Sequence, residues 1–295
     1  MKSPVSVYLI PTFIFPFLKW DLPFYFSYDM INIVYKECDN TMWNDLQTGA
    51  REGMIAETIS LRGYEGDQIR AYYSRPLSDG PHPGIVLIPH MPGWDEWCRE
   101  TSRRFTQHGY AVLCPDIYCR VGTGTPVEVA QKSRAQGGVP DDCVMGDTKG
   151  CLDFLKIQPQ SNGKVGVIGM CSGGRHAFLA ACTVDGFDCA VDCWGGGVIM
   201  KEEELSPARP KSPIDYAENL NIPLLGIFGN EDRSPDAAQV DQTEEVLKKL
   251  GKDYTFFRYD GAGHGIWYYD KPMYRQEQAM DSFNKTLEFF DKHLK

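Results

Sequence analysis

KVGVIGMCSGGRHAFLAACT, residues 164–183, is the stretch on which the fold class turns. KVGVIGM (164–170) is a short apolar run without polar alternation, as expected of a strand covered on both faces. The residues after it carry helix-forming side chains and read as a helix. Between them lies Gly169-Met170-Cys171-Ser172-Gly173-Gly174. So sharp a turn from strand to helix strains its central residue, and flanking glycines remove the clashes. Cys171 is thereby presented above the sheet at a helix N-terminus, where the helix dipole favours thiolate, the nucleophilic form. Backbone N–H groups at the same helix start can bind a developing oxyanion. Ser172 is the competing nucleophile, serine being the commoner residue at such turns. Centring the G-x-nucleophile-x-G pattern on Ser172 would put Met170 where the first glycine belongs, so Cys171 is preferred.

Outward from this turn the chain alternates between apolar runs and amphipathic segments. Strands are expected at 84–90, 110–116, 189–196, 223–232 and 255–265. Helices are expected at 96–108, 142–157, 237–250 and 273–293. TISL and IRAYYSRPL flank a turn at Tyr64-Glu65-Gly66-Asp67 and read as an opening hairpin. This alternation predicts an α/β fold with a mostly parallel central sheet and helices on both faces. Ligands in such sheets bind beyond the carboxyl ends of the strands, which directs attention to the residues just after each one. Two segments break the pattern: 121–139, rich in Gly, Thr and Pro, and 198–219, with several prolines and the KEEE run. Both are read as loops or caps over the site, the charge run itself as a solvated face.

Two strand ends supply the partners a thiol nucleophile needs. His264, in Gly261-Ala262-Gly263-His264-Gly265, follows the last strand and is the expected base. Glu231, Asp232 and Asp236 compete for the acid that orients it, with Asp232 preferred. His82, His108 and His293 look incidental, and His176 is read as a packing residue. Trp94, Trp97, Trp194, Trp267, Tyr268 and Tyr269 all fall just beyond strand ends, where some could wall an apolar pocket or simply pack the core. Of these, Trp94, Trp267 and Tyr268 are the pocket candidates.

The chain has 295 residues, enough for one large domain with a substantial core. Its formal net charge of −10 disfavours nucleic acid as a partner, since phosphate backbones would be repelled. Ten cysteines in this length are too dilute for a disulfide scaffold and form no zinc-spaced pairs. Apart from Cys171 they read as small buried hydrophobes of a reduced, cytoplasmic compartment. Residues 1–53 stand outside the alternation, as an N-terminal extension to a catalytic domain at 54–295. The apolar start, MKSPVSVYLIPTFIFPFLKW, has no small-residue cleavage site and is broken by Pro4, Pro11 and Pro16. A leader, an anchor, or a start upstream of Met30, Met42 or Met54 all fit it, so export or anchoring stays open.

From about Met54 to Leu294 the chain resembles the dienelactone hydrolases, the carboxymethylenebutenolidases of the α/β-hydrolase superfamily. SNGKVGVIGMCSGG, GYAVLCPDIY, the ISL…YEG opening, GNEDRSP and AGHG carry the likeness. The order nucleophile, acid, histidine is also that of α/β-hydrolases. The resemblance implies Cys171 as nucleophile, Asp232 as orienting acid and His264 as base. It places the oxyanion hole at the backbone N–H groups of Met91 and Ser172. It implies hydrolysis of a lactone or ester through an acyl-enzyme on the thiol, with no metal or organic cofactor and a small-molecule substrate. Broader hydrolysis or acyl transfer on aryl esters and thioesters is the alternative within enzymes. A catalytically silent binding module is the alternative outside them.

Two positions depart from the family. Its usual glutamate after the first central strand, which helps to generate thiolate, is His90 here, and a protonated imidazole there would favour thiolate in the resting enzyme. One arginine that the family uses to hold a substrate carboxylate falls on Tyr268, and the other has no secure counterpart, Arg120 and Arg134 being near its region.

Overall fold

The computed structural model describes residues 53–295. The expectation of an N-terminal extension, but for Gly53, lies outside the described residues. Strand β1 (Met54–Arg62) turns through Tyr64–Gly66 into β2 (Gln68–Pro76), with Met54 opposite Pro76 and Arg62 opposite Gln68. The expected hairpin is therefore present. Six further strands follow: β3 (His82–Ile88), β4 (Ala111–Pro115), β5 (Ser161–Met170), β6 (Cys189–Cys193), β7 (Leu224–Gly229) and β8 (Tyr254–Tyr259). They form one sheet in the order β1-β2-β4-β3-β5-β6-β7-β8. The hairpin strands run antiparallel at one edge, and from β4 to β8 all pairings are parallel.

Parallel strands need crossover connections, and α-helices lie in all of them but the one from β6 to β7, with one more helix after β8. They are α1 (Glu96–Gln107), α2 (Pro126–Ala135), α3 (Asp141–Lys156), α4 (Ser172–Thr183), α5 (Ala237–Lys249) and α6 (Gln276–Leu294). Because successive strand residues point to opposite faces, each strand feeds two cores. Val86 and Ile88 of β3, with Val165 and Val167 of β5, face one cluster with Val144, Leu152 and Phe178 of the helices. Ile85 and Leu87, with Ile168 and Met170, face the other, which contains Phe105 of α1 and Phe290 of α6. This double burial explains the unbroken apolar runs in the sequence.

Phe290 is fully buried against Phe105 and Tyr110, each with ring centroids 5.9 Å away. Phe290→Ala should destabilise the fold by roughly 3–5 kcal/mol, the usual cost of emptying such a site. A urea denaturation midpoint checks this.

One expectation is corrected. Segment 121–139 is not wholly a loop, since it contains α2. Thr125 caps that helix reciprocally with Glu128, and Pro126 stands in its first turn, where a missing N–H costs nothing. The sequence TPVE was a helix start hidden among loop residues. Segment 198–219 carries only short 3-10 turns, and Glu202–Glu204 is exposed as a solvated face should be. Among the described residues no helix is long and apolar enough to cross a membrane.

Candidate active site

β5 ends at Met170, and Cys171 turns the chain into α4 with φ 56° and ψ −123°. A non-glycine residue there carries backbone strain. Two glycines hold it in place. A Cβ on Gly169 would lie 1.9 Å from the Gly173 carbonyl oxygen, and one on Gly173 would lie 2.2 Å from that of Ile88. No larger residue fits at either position, so helix and strands approach as the turn demands. The Cys171 N–H donates to the Cys193 carbonyl at 3.0 Å, tying the turn to β6. The Cys171 side chain is partly exposed, whereas the Ser172 hydroxyl is buried and without a hydrogen-bond partner.

His264 follows β8 and faces Asp232, which follows β7. Its Nδ1 lies 2.9 Å from Asp232 Oδ2, and Asp232 Oδ1 accepts from the Ser234 N–H at 2.9 Å. Asp232 is buried; Glu231 is exposed, and Asp236 caps α5 by accepting from the Gln239 N–H. Of the three acids, the fold brings Asp232 to the histidine. Burial disfavours a charge on His264, but Asp232 and the Cys171 sulfur more than offset this and raise its pKa to about 10. A histidine raised from 6.5 stabilises the fold fully below pH 6.5 and loses that contribution as pH climbs to about 10. The stability difference between the natural chain and His264→Gln should therefore shrink over that interval. Urea midpoints measured across it provide the check.

The Met91 N–H has no backbone acceptor among the described residues, and the Ser172 N–H is one of the unpaired amides opening α4. Met91 is braced by the Tyr118 hydroxyl, which donates to its sulfur at 3.3 Å. Beside this loop lies a cleft of about 220 Å³ lined by Pro92, Trp94, Tyr118, Val129, Arg70 and Arg99, among others. Trp94 donates from Nε1 to the Cys114 carbonyl, and the Arg99 guanidinium stacks on its ring at 4.6 Å.

Trp267 does not line that cleft. It is buried, donates to Ser282 Oγ at 2.7 Å and packs edge-on against Trp194, which makes it a core residue. Tyr268 and His90 meet at 2.6 Å between the phenol oxygen and Nδ1, while His90 Nε2 lies 3.0 Å from Asp95 Oδ2. Burial opposes a charge on His90 and also keeps the neighbouring Cys98 a thiol, so the Asp95 carboxylate is the anion beside the ring that favours one. Sequence reasoning missed Asp95. Its signal was the N-cap position, an Asp three residues before Cys98 whose amide it accepts at 3.0 Å.

Arg120 is committed elsewhere, to Asp67 at 2.7 Å and to buried Asp147 at 2.8 and 2.9 Å. It is a structural clamp, and Arg134 is exposed on α2. His176 is buried on α4, as a packing residue should be. Among the described residues His90, Asp95 and Cys98 hold their potential metal-ligating atoms within 4.8 Å of one another. Their existing partners account for them: His90 and Asp95 pair, and Cys98 donates to the Gly93 carbonyl at 3.4 Å.

The sheet order, the strained turn and the acid and histidine at two successive strand ends define an α/β-hydrolase. The chain belongs to the dienelactone hydrolase family, whose family model matches residues 69–294. It is thereby a hydrolase of the carboxylic-ester class. A protein of Methylorubrum extorquens assigned as a carboxymethylenebutenolidase is 30% identical over 244 residues, covering 82% of each chain. A Bradyrhizobium protein assigned as a 2-oxo-3-(5-oxofuran-2-ylidene)propanoate lactonase is 24% identical over 82% of this chain and 98% of its own. A crystal structure from Klebsiella pneumoniae, assigned to the dienelactone hydrolases, superposes with TM-score 0.74 at 27% identity, over 81% of this chain and 99% of that one.

Proposed function

We propose that the protein hydrolyses carboxylic esters or lactones through an acyl-enzyme on Cys171, with His264 as base and Asp232 as its orienting acid. The observation that carries this reading is the 2.9 Å Asp232–His264 contact beside a cysteine held at a strained strand-to-helix turn. Thiolate attack on the acyl carbon forms a tetrahedral oxyanion, and the Met91 and Ser172 amides would receive it. His264, as imidazolium, gives its proton to the departing alkoxide and then takes one from the water that cleaves the thioester. Asp232 fixes the imidazole tautomer and stabilises its charge.

The substrate need not carry the carboxylate of a dienelactone. The position of one family arginine is Tyr268, which bonds His90, and Arg120 is spent on Asp67 and Asp147. The Trp94–Tyr118 cleft suits a ring-bearing ester or lactone. The same features fit aryl esters and thioesters, the second reading within this chemistry.

Hydrolysis of p-nitrophenyl acetate, with and without iodoacetamide, tests the class. Turnover that alkylation of Cys171 abolishes is the expected result. Absence of turnover on this ester and on a panel of lactones and thioesters would point instead to a binding scaffold. A panel of neutral and anionic substrates then separates the substrate readings.

A further inference from the structure

The cleft beside the Met91–Gly93 loop runs against the charge of the whole protein. The chain has a formal net charge of −10, yet the charged side chains lining the cleft are two guanidinium groups, Arg70 and Arg99, and one carboxylate, Asp116. Asp116 is buried and already matched: its Oδ2 accepts from Arg70 at 2.6 Å and its Oδ1 from the Tyr118 N–H at 3.3 Å. Arg99 has no such match. Among the described residues its side chain makes no hydrogen bond, and its Nε is buried without a partner. Its ion-pair neighbour Glu96 stands 4.0 Å away and is bound more closely by Arg103, at 2.6 Å. An arginine carries five N–H donors and no acceptor, so this one has donors to offer.

An aromatic ring holds Arg99 in place. Trp94 donates from Nε1 to the Cys114 carbonyl at 3.1 Å, which fixes the indole. The Arg99 guanidinium lies 4.6 Å from the ring centroid and that of Arg70 5.6 Å from it. Stacking orients a guanidinium without using its N–H groups, which lie in its own plane. The cleft also abuts the loop whose amide would hold the oxyanion. Pro92 lines it and directly follows Met91, and Tyr118, also in its wall, donates to the Met91 sulfur at 3.3 Å. A Cβ on Gly93 would lie 2.4 Å from the Tyr118 ring, so loop and ring pack with no room for a side chain between them.

We infer that Arg99, with Arg70 beside it, binds a carboxylate of the substrate in this cleft, so that the preferred ester or lactone is a small ring-bearing monoanion.

Charge and size both narrow the ligand. Asp116 neutralises Arg70, which leaves one positive charge; a carboxylate balances it and a phosphate dianion would overfill it. Arginine also matches a carboxylate geometrically, by two parallel N–H donors. At about 220 Å³ the cleft is smaller than the roughly 300 Å³ at which drug-sized sites begin, and it suits one ring with its substituent. Neither arginine stands where the family resemblance puts a carboxylate-binding arginine. Those positions fall on Tyr268 and near Arg120 or Arg134, whereas Arg70 comes from β2 and Arg99 from α1. The inference rests on the ester-hydrolase reading, and its test keeps the two apart.

The full chain is assayed on 3- and 4-acetoxybenzoate and on the corresponding acetoxybenzamides, which match them in size and carry no charge. The natural chain should prefer an acid to its amide in kcat/KM, mainly through KM. Arg99→Met keeps the stem beside Trp94 and should lower that preference roughly 10- to 100-fold, the scale of one hydrogen bond to a charged group. Arg99→Lys should retain part of it, as a point charge without the fork. Asp116→Asn should raise it, because the competing carboxylate is gone, whereas a merely damaged cleft would show no gain. A natural chain indifferent to the charge overturns the inference, as does a preference that neither Arg99→Met nor Asp116→Asn moves. If all four compounds are inert, titration calorimetry with benzoate and benzamide decides the site by itself. Benzoate held by the natural chain and lost in Arg99→Met supports the site while the hydrolase reading fails. Benzoate bound no better than benzamide overturns the site.

Discussion

Cys171→Ala should lower kcat/KM for p-nitrophenyl acetate roughly 10³-fold or more, the scale of loss when a nucleophile is removed. The fold should survive, because the side chain stands partly exposed at a turn and only borders the core, where alanine loses a single sulfur atom. Alanine at φ 56° still carries the strain that cysteine carries there, so the turn itself is not relieved. Circular dichroism and a urea midpoint near that of the natural chain would show this. Ser172→Ala is the informative control. Its hydroxyl is buried and makes no hydrogen bond, so its removal should leave most activity in place. An inactive Ser172→Ala beside an active Cys171→Ala would reverse the assignment of the nucleophile.

Asp232→Asn comes next in size, with an expected loss on the order of 10²- to 10³-fold in kcat/KM. The carboxylate is buried, 2.9 Å from His264 Nδ1, and its other oxygen holds the Ser234 amide. An amide there can keep the second contact, but it removes the negative charge that favours the imidazolium. The variant should show a lower His264 pKa by NMR and a pH–rate profile moved in the same direction. Glu231→Gln, exposed and turned away, should change neither. A stronger defect at Glu231 than at Asp232 would overturn the choice of acid.

Much of this was legible along the chain because local patterns record local geometry. The apolar runs marked buried strands, since a residue flanked by neighbours on both faces must be apolar wherever it points. Gly169, Cys171 and Gly173 marked the turn, since only glycines let strand and helix backbones come within about 2 Å of an added Cβ. Parts of the site were invisible for equally physical reasons. The choice of Asp232 over Glu231 and Asp236 depends on which carboxylate the β7 end turns inward, and residues one and four apart cannot be separated by composition. α2 was lost among glycines and threonines because its core contribution is small, only Ala130 and Ser133 being buried. Trp267 read as a pocket wall because it follows a strand end, but its indole N–H finds Ser282 fifteen residues on and is spent in the core. Asp95, His90 and Tyr268 are separated by up to 178 positions, and only the meeting of β3 with the turn after β8 makes them one network. Strand, helix and turn were written in nearest neighbours; the pairing of charges across the sheet was decided by the packed structure, where distance through space no longer follows distance along the chain.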